Sequence, residues 1–270
     1  MADGTQYLSV PGGRIAFDVG GAGPTVLLVP GMGELRSSYR HLVPLLENAG
    51  HTVVSVDLRG HGDSDTGFDE YGDTATARDL AALIRHLGGP ATIVGNSMSA
   101  GSAVIVAAEH PDLVEALVLL GPFVRNPPTN PAMKLLFHAM TARPWVVPVW
   151  KAYMPTLYAG DKPADFDSYR ERVADAMRRP GYARAFSRTA RTDHAPAERR
   201  IHDVAAPSIV VMGELDPDFA SPRAEAEWIA DALGGAVVMV PGAGHYPQAQ
   251  SPEATAAAVL DFLAEARRRA

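Results

Sequence analysis

Short apolar runs and longer helical repeats take turns along the first 120 residues. Thr25–Val29, Thr52–Val56, Ala91–Val94 and Val114–Leu120 are strand-length apolar stretches, as expected for strands of a parallel sheet covered on both faces. Upstream, Tyr7–Val10 and Arg14–Val19 flank Pro11-Gly12-Gly13 and predict a hairpin. Helical spacing fills the gaps. One helix is predicted from Ser37 or Ser38 to Ala49, where Gly50 stops it. A second runs from a Thr74 cap to Leu87, and a third from about Met98 to His110. Such alternation predicts βαβ units and a mostly parallel sheet.

The pattern changes after Leu120. Positions 121 to about 203 hold no strand-like run and ten prolines, with short helical stretches such as Met133–Thr141 and Phe166–Arg178 between them. Alternation then resumes: Ser208–Met212 (strand), Pro222–Leu233 (helix), Ala236–Val240 (strand) and Pro252–Arg269 (helix). The economical reading is an α/β core formed by 1–120 and 204–270, interrupted by a helical insertion at 121–203. That insertion carries ten of the 19 aromatic residues, more than a small helical layer is expected to bury within itself, so several are expected to line an apolar pocket. Trp145, Trp150, Phe123 and Tyr153 are the candidates.

Composition narrows the function. With 47% hydrophobic residues the chain can fill a core. A net charge of −7 argues against nucleic acid or an anionic membrane as partner. There is no cysteine, which excludes disulfides, zinc–thiolate sites and thiol nucleophiles. No apolar stretch approaches membrane-spanning length. The opening Met-Ala-Asp-Gly-Thr-Gln lacks a basic-then-apolar leader pattern, so a cytoplasmic location is expected. Phosphate-loop, dinucleotide-loop and His-Glu-x-x-His patterns are missing, so neither cofactor nor metal is expected. A small apolar molecule is the expected partner, acting on a monomer or homodimer.

The informative stretch is Val94-Gly95-Asn96-Ser97-Met98-Ser99, where an apolar strand passes straight into a helix. A Gly-x-Ser-x-small turn of this kind lifts a serine hydroxyl above the sheet edge. Serine needs a base, and the base needs an orienting acid. His245 follows a strand on the glycine-rich loop Pro241-Gly242-Ala243-Gly244. Glu214, Asp216 and Asp218 follow another strand, and any of them could orient it. All these positions fall at the carboxyl ends of parallel strands, where open α/β sheets build their sites.

The chain resembles the α/β-hydrolase superfamily, in particular its small, cap-bearing serine hydrolases of esterase or lactonase type. The resemblance rests on Val29-Pro30-Gly31-Met32-Gly33, Asp57-Leu58-Arg59-Gly60-His61-Gly62-Asp63-Ser64, the serine turn, Gly213-Glu214-Leu215-Asp216 and Gly244-His245, in that order. It implies an eight-stranded, mostly parallel sheet with a helical cap after the sixth strand. It also implies Ser97 as nucleophile, His245 as base, Asp216 as its orienter, and the backbone N–H groups of Met32 and Met98 as the oxyanion hole. Two departures stand out: Ser99 replaces the usual glycine, and Pro30-Gly31 stands where the family often has His-Gly. The expected reaction is hydrolysis of an ester, thioester or lactone with an apolar part. The alternatives are a C–C hydrolase, a hydroxynitrile lyase, a cofactor-free perhydrolase or a slow small-molecule receptor.

Overall fold

The computed structural model describes residues 4–127, 131–142 and 144–269; the opening residues 1–3, part of the predicted insertion and the final residue lie outside them. The hairpin is present as β1 (Gln6–Val10) and β2 (Gly13–Gly21). β3 (Thr25–Val29), α1 (Val43–Asn48), β4 (Thr52–Val56), α2 (Asp73–Leu87), β5 (Ala91–Asn96), α3 (Met98–Glu109) and β6 (Val114–Leu120) follow. Between β6 and the next strand, the described residues form helices and no strand: α4 (Pro131–Met140), α5 (Val146–Leu157), α6 (Phe166–Met177), α7 (Tyr182–Thr189) and α8 (Ala195–Glu198). β7 (Ser208–Gly213), α9 (Pro222–Leu233), β8 (Ala236–Val240), α10 (Pro247–Gln250) and α11 (Pro252–Arg269) complete the chain.

The sheet has eight strands in the order β1-β2-β4-β3-β5-β6-β7-β8. β1 and β2 pair antiparallel, as do β2 and β4; every other pairing is parallel. Alternate residues of the central strands feed opposite cores, as the two-residue side-chain period requires. Leu27, Val29 and Ile93 pack with α2, α3 and α9, whereas Val26, Leu28 and Val94 pack with α1 and α11. Strand order reverses at β3, with β4 on one side and β5 on the other. A crevice opens at such a reversal, outside the strands' carboxyl ends.

Several elements differ from expectation. The helix predicted to start from a Thr74 cap begins at Asp73 behind Gly72, so Thr74 lies inside α2. The helix predicted from Ser37 or Ser38 to Ala49 is a 3-10 turn at Arg36–Tyr39 followed by the separate α1. Pro44 explains the break: it has no N–H to bond back to residue 40 and is tolerated only in a first turn. Conversely, prolines conceal α5. Pro148 sits in its first turn, where its missing N–H costs nothing, and the helix runs on through Pro155 although that residue offers no N–H to the Lys151 carbonyl.

The insertion also buries more than expected. Trp150, Tyr158, Phe166, Tyr169, Tyr182 and Phe186 form one buried cluster with Tyr246 and Ala249 of the core. These rings chiefly fasten the insertion to the sheet domain.

Candidate active site

Ser97 lies between the last residue of β5 and the first of α3, with φ 57° and ψ −127°. Among the described residues no other non-glycine has a positive φ. That conformation is sterically costly and persists only when its surroundings enforce it. The enforcement is visible. A β-carbon on Gly95 would lie 2.7 Å from the carbonyl oxygen of Ser99, so strand and helix approach more closely than any side chain permits. Ser97 N–H donates to the Leu120 carbonyl at 2.9 Å. Although Ser97 precedes the helix, its hydroxyl makes no capping bond. Capping therefore does not account for the strained conformation of Ser97.

The turn after β3 abuts this serine across the crevice. A β-carbon on Gly31 would fall 2.8 Å from Ser97 Cβ. Ser99, the departure from the usual glycine, donates its hydroxyl to the Pro30 carbonyl at 2.6 Å and ties this turn to α3. Met32 is half-buried in the turn, and Met98 is buried at the start of α3, where a backbone N–H has no partner within the helix. Both N–H groups therefore belong to segments that border Ser97.

His245 and Asp216 meet. His245 Nδ1 donates to Asp216 Oδ2 at 2.7 Å, and both side chains are buried. A β-carbon on Gly121 would lie 3.1 Å from each of these atoms. Asn96, beside the serine, donates to the His245 carbonyl at 3.2 Å and to the Leu120 carbonyl at 3.0 Å, so one amide joins the serine turn to the histidine loop. Burial works against a charged imidazole, yet Asp216, Asp218 and Glu34 outweigh it and raise His245 to about 9. Asp57, after β4, accepts from Arg36 and from Asp63 N–H and holds that loop.

Asp216, Asp218 and His245 bring ligand-type atoms within 4.8 Å of one another. With the Nδ1 proton committed to Asp216, the group is arranged as an acid–base pair with a second carboxylate alongside.

The aromatic candidates divide. The Phe123 ring is edge-on to His245 at 6.0 Å and also contacts Phe219. Trp150 occupies the space of a Gly33 side chain and donates its indole N–H to the Gly33 carbonyl at 3.1 Å. Tyr153 donates to Asp218 at 2.9 Å. Trp145 is not brought to this group: it is 55% exposed and donates to the Ala139 carbonyl beside the exposed face of α4.

One buried acid went unread in the sequence. Glu34, in the turn after β3, is fully buried; Tyr169 of α6 donates to its Oε2, and Oε1 has no partner. Burial raises it to about 7. The only signal was a charged residue set among Gly31, Met32 and Gly33 directly after an apolar strand. A separate cavity of about 620 Å³, lined by Arg36, Arg40, Asp57 and Arg179 among others, lies apart from Ser97.

No helix among the described residues is long and apolar enough to cross a membrane. The family model for the alpha/beta hydrolase family matches residues 26–258. The 2-(acetamidomethylene)succinate hydrolase of Mesorhizobium japonicum is 32% identical over 264 residues, covering 93% of this chain and 92% of that protein. The 2-hydroxy-6-oxo-6-phenylhexa-2,4-dienoate hydrolase of Burkholderia cepacia is 27% identical over 93% of this chain and 91% of its own. Among solved structures, the bromoperoxidase of Bacillus anthracis superposes with a TM-score of 0.83 at 20% identity, covering 96% of this chain and 99% of that one. At that identity the likeness speaks for the fold. The family match spans most of the chain, from β3 into α11, and with it the chain belongs to the alpha/beta hydrolase family as a hydrolase of α/β fold.

Proposed function

We propose that this chain is a serine hydrolase that cleaves an ester, thioester or lactone bearing an apolar acyl or alcohol part. The observation that carries the reading is Ser97 itself: a strained nucleophile-type turn whose hydroxyl serves no capping role, beside the turn after β3. The Asp216–His245 hydrogen bond supports the rest of the triad. Neutral His245 takes the Ser97 proton through Nε2 as Oγ attacks the carbonyl carbon. The resulting oxyanion accepts from the N–H groups of Met32 and Met98, each such donor being worth roughly 10²–10³ in rate. His245 then protonates the leaving group, and water, activated by the same imidazole, releases the acid from Ser97. Asp216 holds the Nδ1–H tautomer and stabilises the imidazolium.

In this reading residues 121–203 form a cap over the site. Hydrogen bonds from Trp150 to Gly33 and from His245 N–H to the Leu157 carbonyl support it, because they join the insertion to the loops after β3 and β8. Phe123 and Trp150 would contribute apolar walls to the acyl pocket.

The test is labelling with a fluorophosphonate probe, followed by p-nitrophenyl esters of increasing acyl length, on wild type, Ser97→Ala and Asp216→Asn. Labelling that disappears in Ser97→Ala, with turnover peaking at one chain length, is expected. Turnover that persists in Ser97→Ala would refute the mechanism. Similarity to the Burkholderia hydrolase, whose name denotes a dienoate substrate, favours C–C cleavage as a second reading. Turnover of a vinylogous diketone with none of any ester would select it.

A further inference from the structure

The candidate base has a carboxylate at each ring nitrogen. Asp216 accepts from Nδ1, while Asp218 Oδ2 lies 3.7 Å from Nε2, the nitrogen that must receive the serine proton. Asp218 is held from two sides. Its own N–H donates to Asp216 Oδ1 at 3.0 Å, closing a tight turn, and its Oδ1 accepts from the Tyr153 hydroxyl of α5 at 2.9 Å. One carboxylate therefore accepts a hydrogen bond from the insertion and stands within ion-pair range of the working nitrogen of the histidine.

We propose that Asp218 is a positioning residue: anchored by Tyr153, it pairs with Nε2 of His245 in the closed, substrate-free site and keeps the base protonated until the insertion moves. This rests on the Ser97–His245 reading above. An imidazole that carries a proton on Nε2 is a donor on both sides and accepts nothing from Ser97. When α5 lifts to admit substrate, Tyr153 leaves Asp218, the carboxylate hydrates, and the Nε2 proton passes to water. The lone pair then faces the serine. The same contact that closes the insertion thus keeps the nucleophile idle, and bringing in substrate activates it.

The charges around His245 agree. It is faced by Asp216 and Asp218 from the segment after β7 and by Glu34 from the turn after β3. Phe123 and Tyr246 meet it with their rings. Asp218 itself is faced by His245, Asp216 and Tyr153. The elevation of His245 to about 9 is what two flanking carboxylates produce when burial alone would lower it.

The experiment follows the rate of fluorophosphonate labelling of Ser97 against pH for wild type, Asp218→Asn and Tyr153→Phe. In parallel, the ring nitrogens of His245 are titrated by NMR in each protein. Wild-type labelling is expected to climb into the alkaline range. Asp218→Asn should move the midpoint down by a pH unit or more, making labelling about tenfold faster near pH 7, with the NMR midpoint moving equally. Tyr153→Phe should shift both in the same direction by less. A midpoint that stays in place in Asp218→Asn overturns the proposal, as does a rate lowered at every pH without a shift. The two hypotheses fail differently. If no protein labels at any pH while the NMR midpoint still falls in Asp218→Asn, the serine mechanism is wrong and the pairing stands. If labelling depends on Ser97 and neither midpoint moves, the pairing is wrong and the mechanism stands.

Discussion

Replacing Glu34 with glutamine tests how much the buried acid costs the fold. The side chain is fully buried, one oxygen accepts from Tyr169 and the other has no partner. Burial raises its pKa from 4.5 to about 7, against the smaller opposing pull of Tyr169 and Arg40. Because the folded state holds this proton more tightly than the unfolded chain, the protonated acid contributes stability that is fully present below about pH 4.5 and lost as pH rises to about 7. At ~1.36 kcal/mol for each pH unit between the two pKa values, the loss amounts to about 3 kcal/mol. Glu34→Gln keeps the shape, still accepts from Tyr169 and cannot ionise. Urea unfolding of both proteins between pH 5 and pH 8 reads the effect, since titrating groups remote from Glu34 are shared and cancel in the difference, leaving its coupling to His245 as the residual. The variant should gain on wild type by about 2–3 kcal/mol across that range. A stability gap independent of pH, or one that closes as pH rises, would show that Glu34 is not a neutral acid in the folded protein.

Other consequences follow from single contacts. Ser97→Gly should abolish fluorophosphonate labelling yet raise stability by about 1 kcal/mol, as relief of a positive-φ side chain outweighs the added chain entropy of glycine; a Tm below wild type would contradict the strain. Arg59 and Asp79 form a buried two-point ion pair, with distances of 2.6 and 2.7 Å. Arg59→Ala should therefore cost about 3–5 kcal/mol by stranding the carboxylate, and the double change Arg59→Met with Asp79→Leu should recover most of it. Equal losses in the single and double variants would refute that account.

The charges around the candidate base bear on which substrates the proposed function admits. Both named hydrolases act on compounds whose names denote carboxylates. Here three acids, Asp216, Asp218 and Glu34, bear on the candidate base. A negatively charged group brought close to that cluster would meet repulsion. An uncharged acyl group suits it better, and for that reason esters of neutral acids come first among the proposed substrates.

Much of this was readable from the sequence because it depends on local rules. Apolar runs of strand length separated by helical spacing specify a layered α/β domain, and the reading located β6, α9, β8 and α11 at their observed limits. Gly-x-Ser-x-small between a strand and a helix is likewise local, since the close approach at Gly95 involves residues only four or five positions away. Proline misled where its position within a helix mattered: Pro44 splits a predicted helix, whereas Pro148 and Pro155 leave α5 whole.

What the sequence could not decide is which distant groups share a space. Asp216 and Asp218 are two residues apart and chemically alike, yet one orients Nδ1 of His245 and the other approaches Nε2. That division depends on the turn they form and on Tyr153, 65 residues away in the chain. Glu34 went unread in the sequence, and only the packing of Tyr169 over it, 135 positions on, makes it a buried acid. Trp145 and Trp150 are both insertion tryptophans, but one is exposed and the other fills the space beside Gly33. Periodicity reports which face of an element is apolar and therefore buried. Protonation and contact across the site depend on three-dimensional burial and on charges brought together from separate loops, which tertiary structure alone fixes.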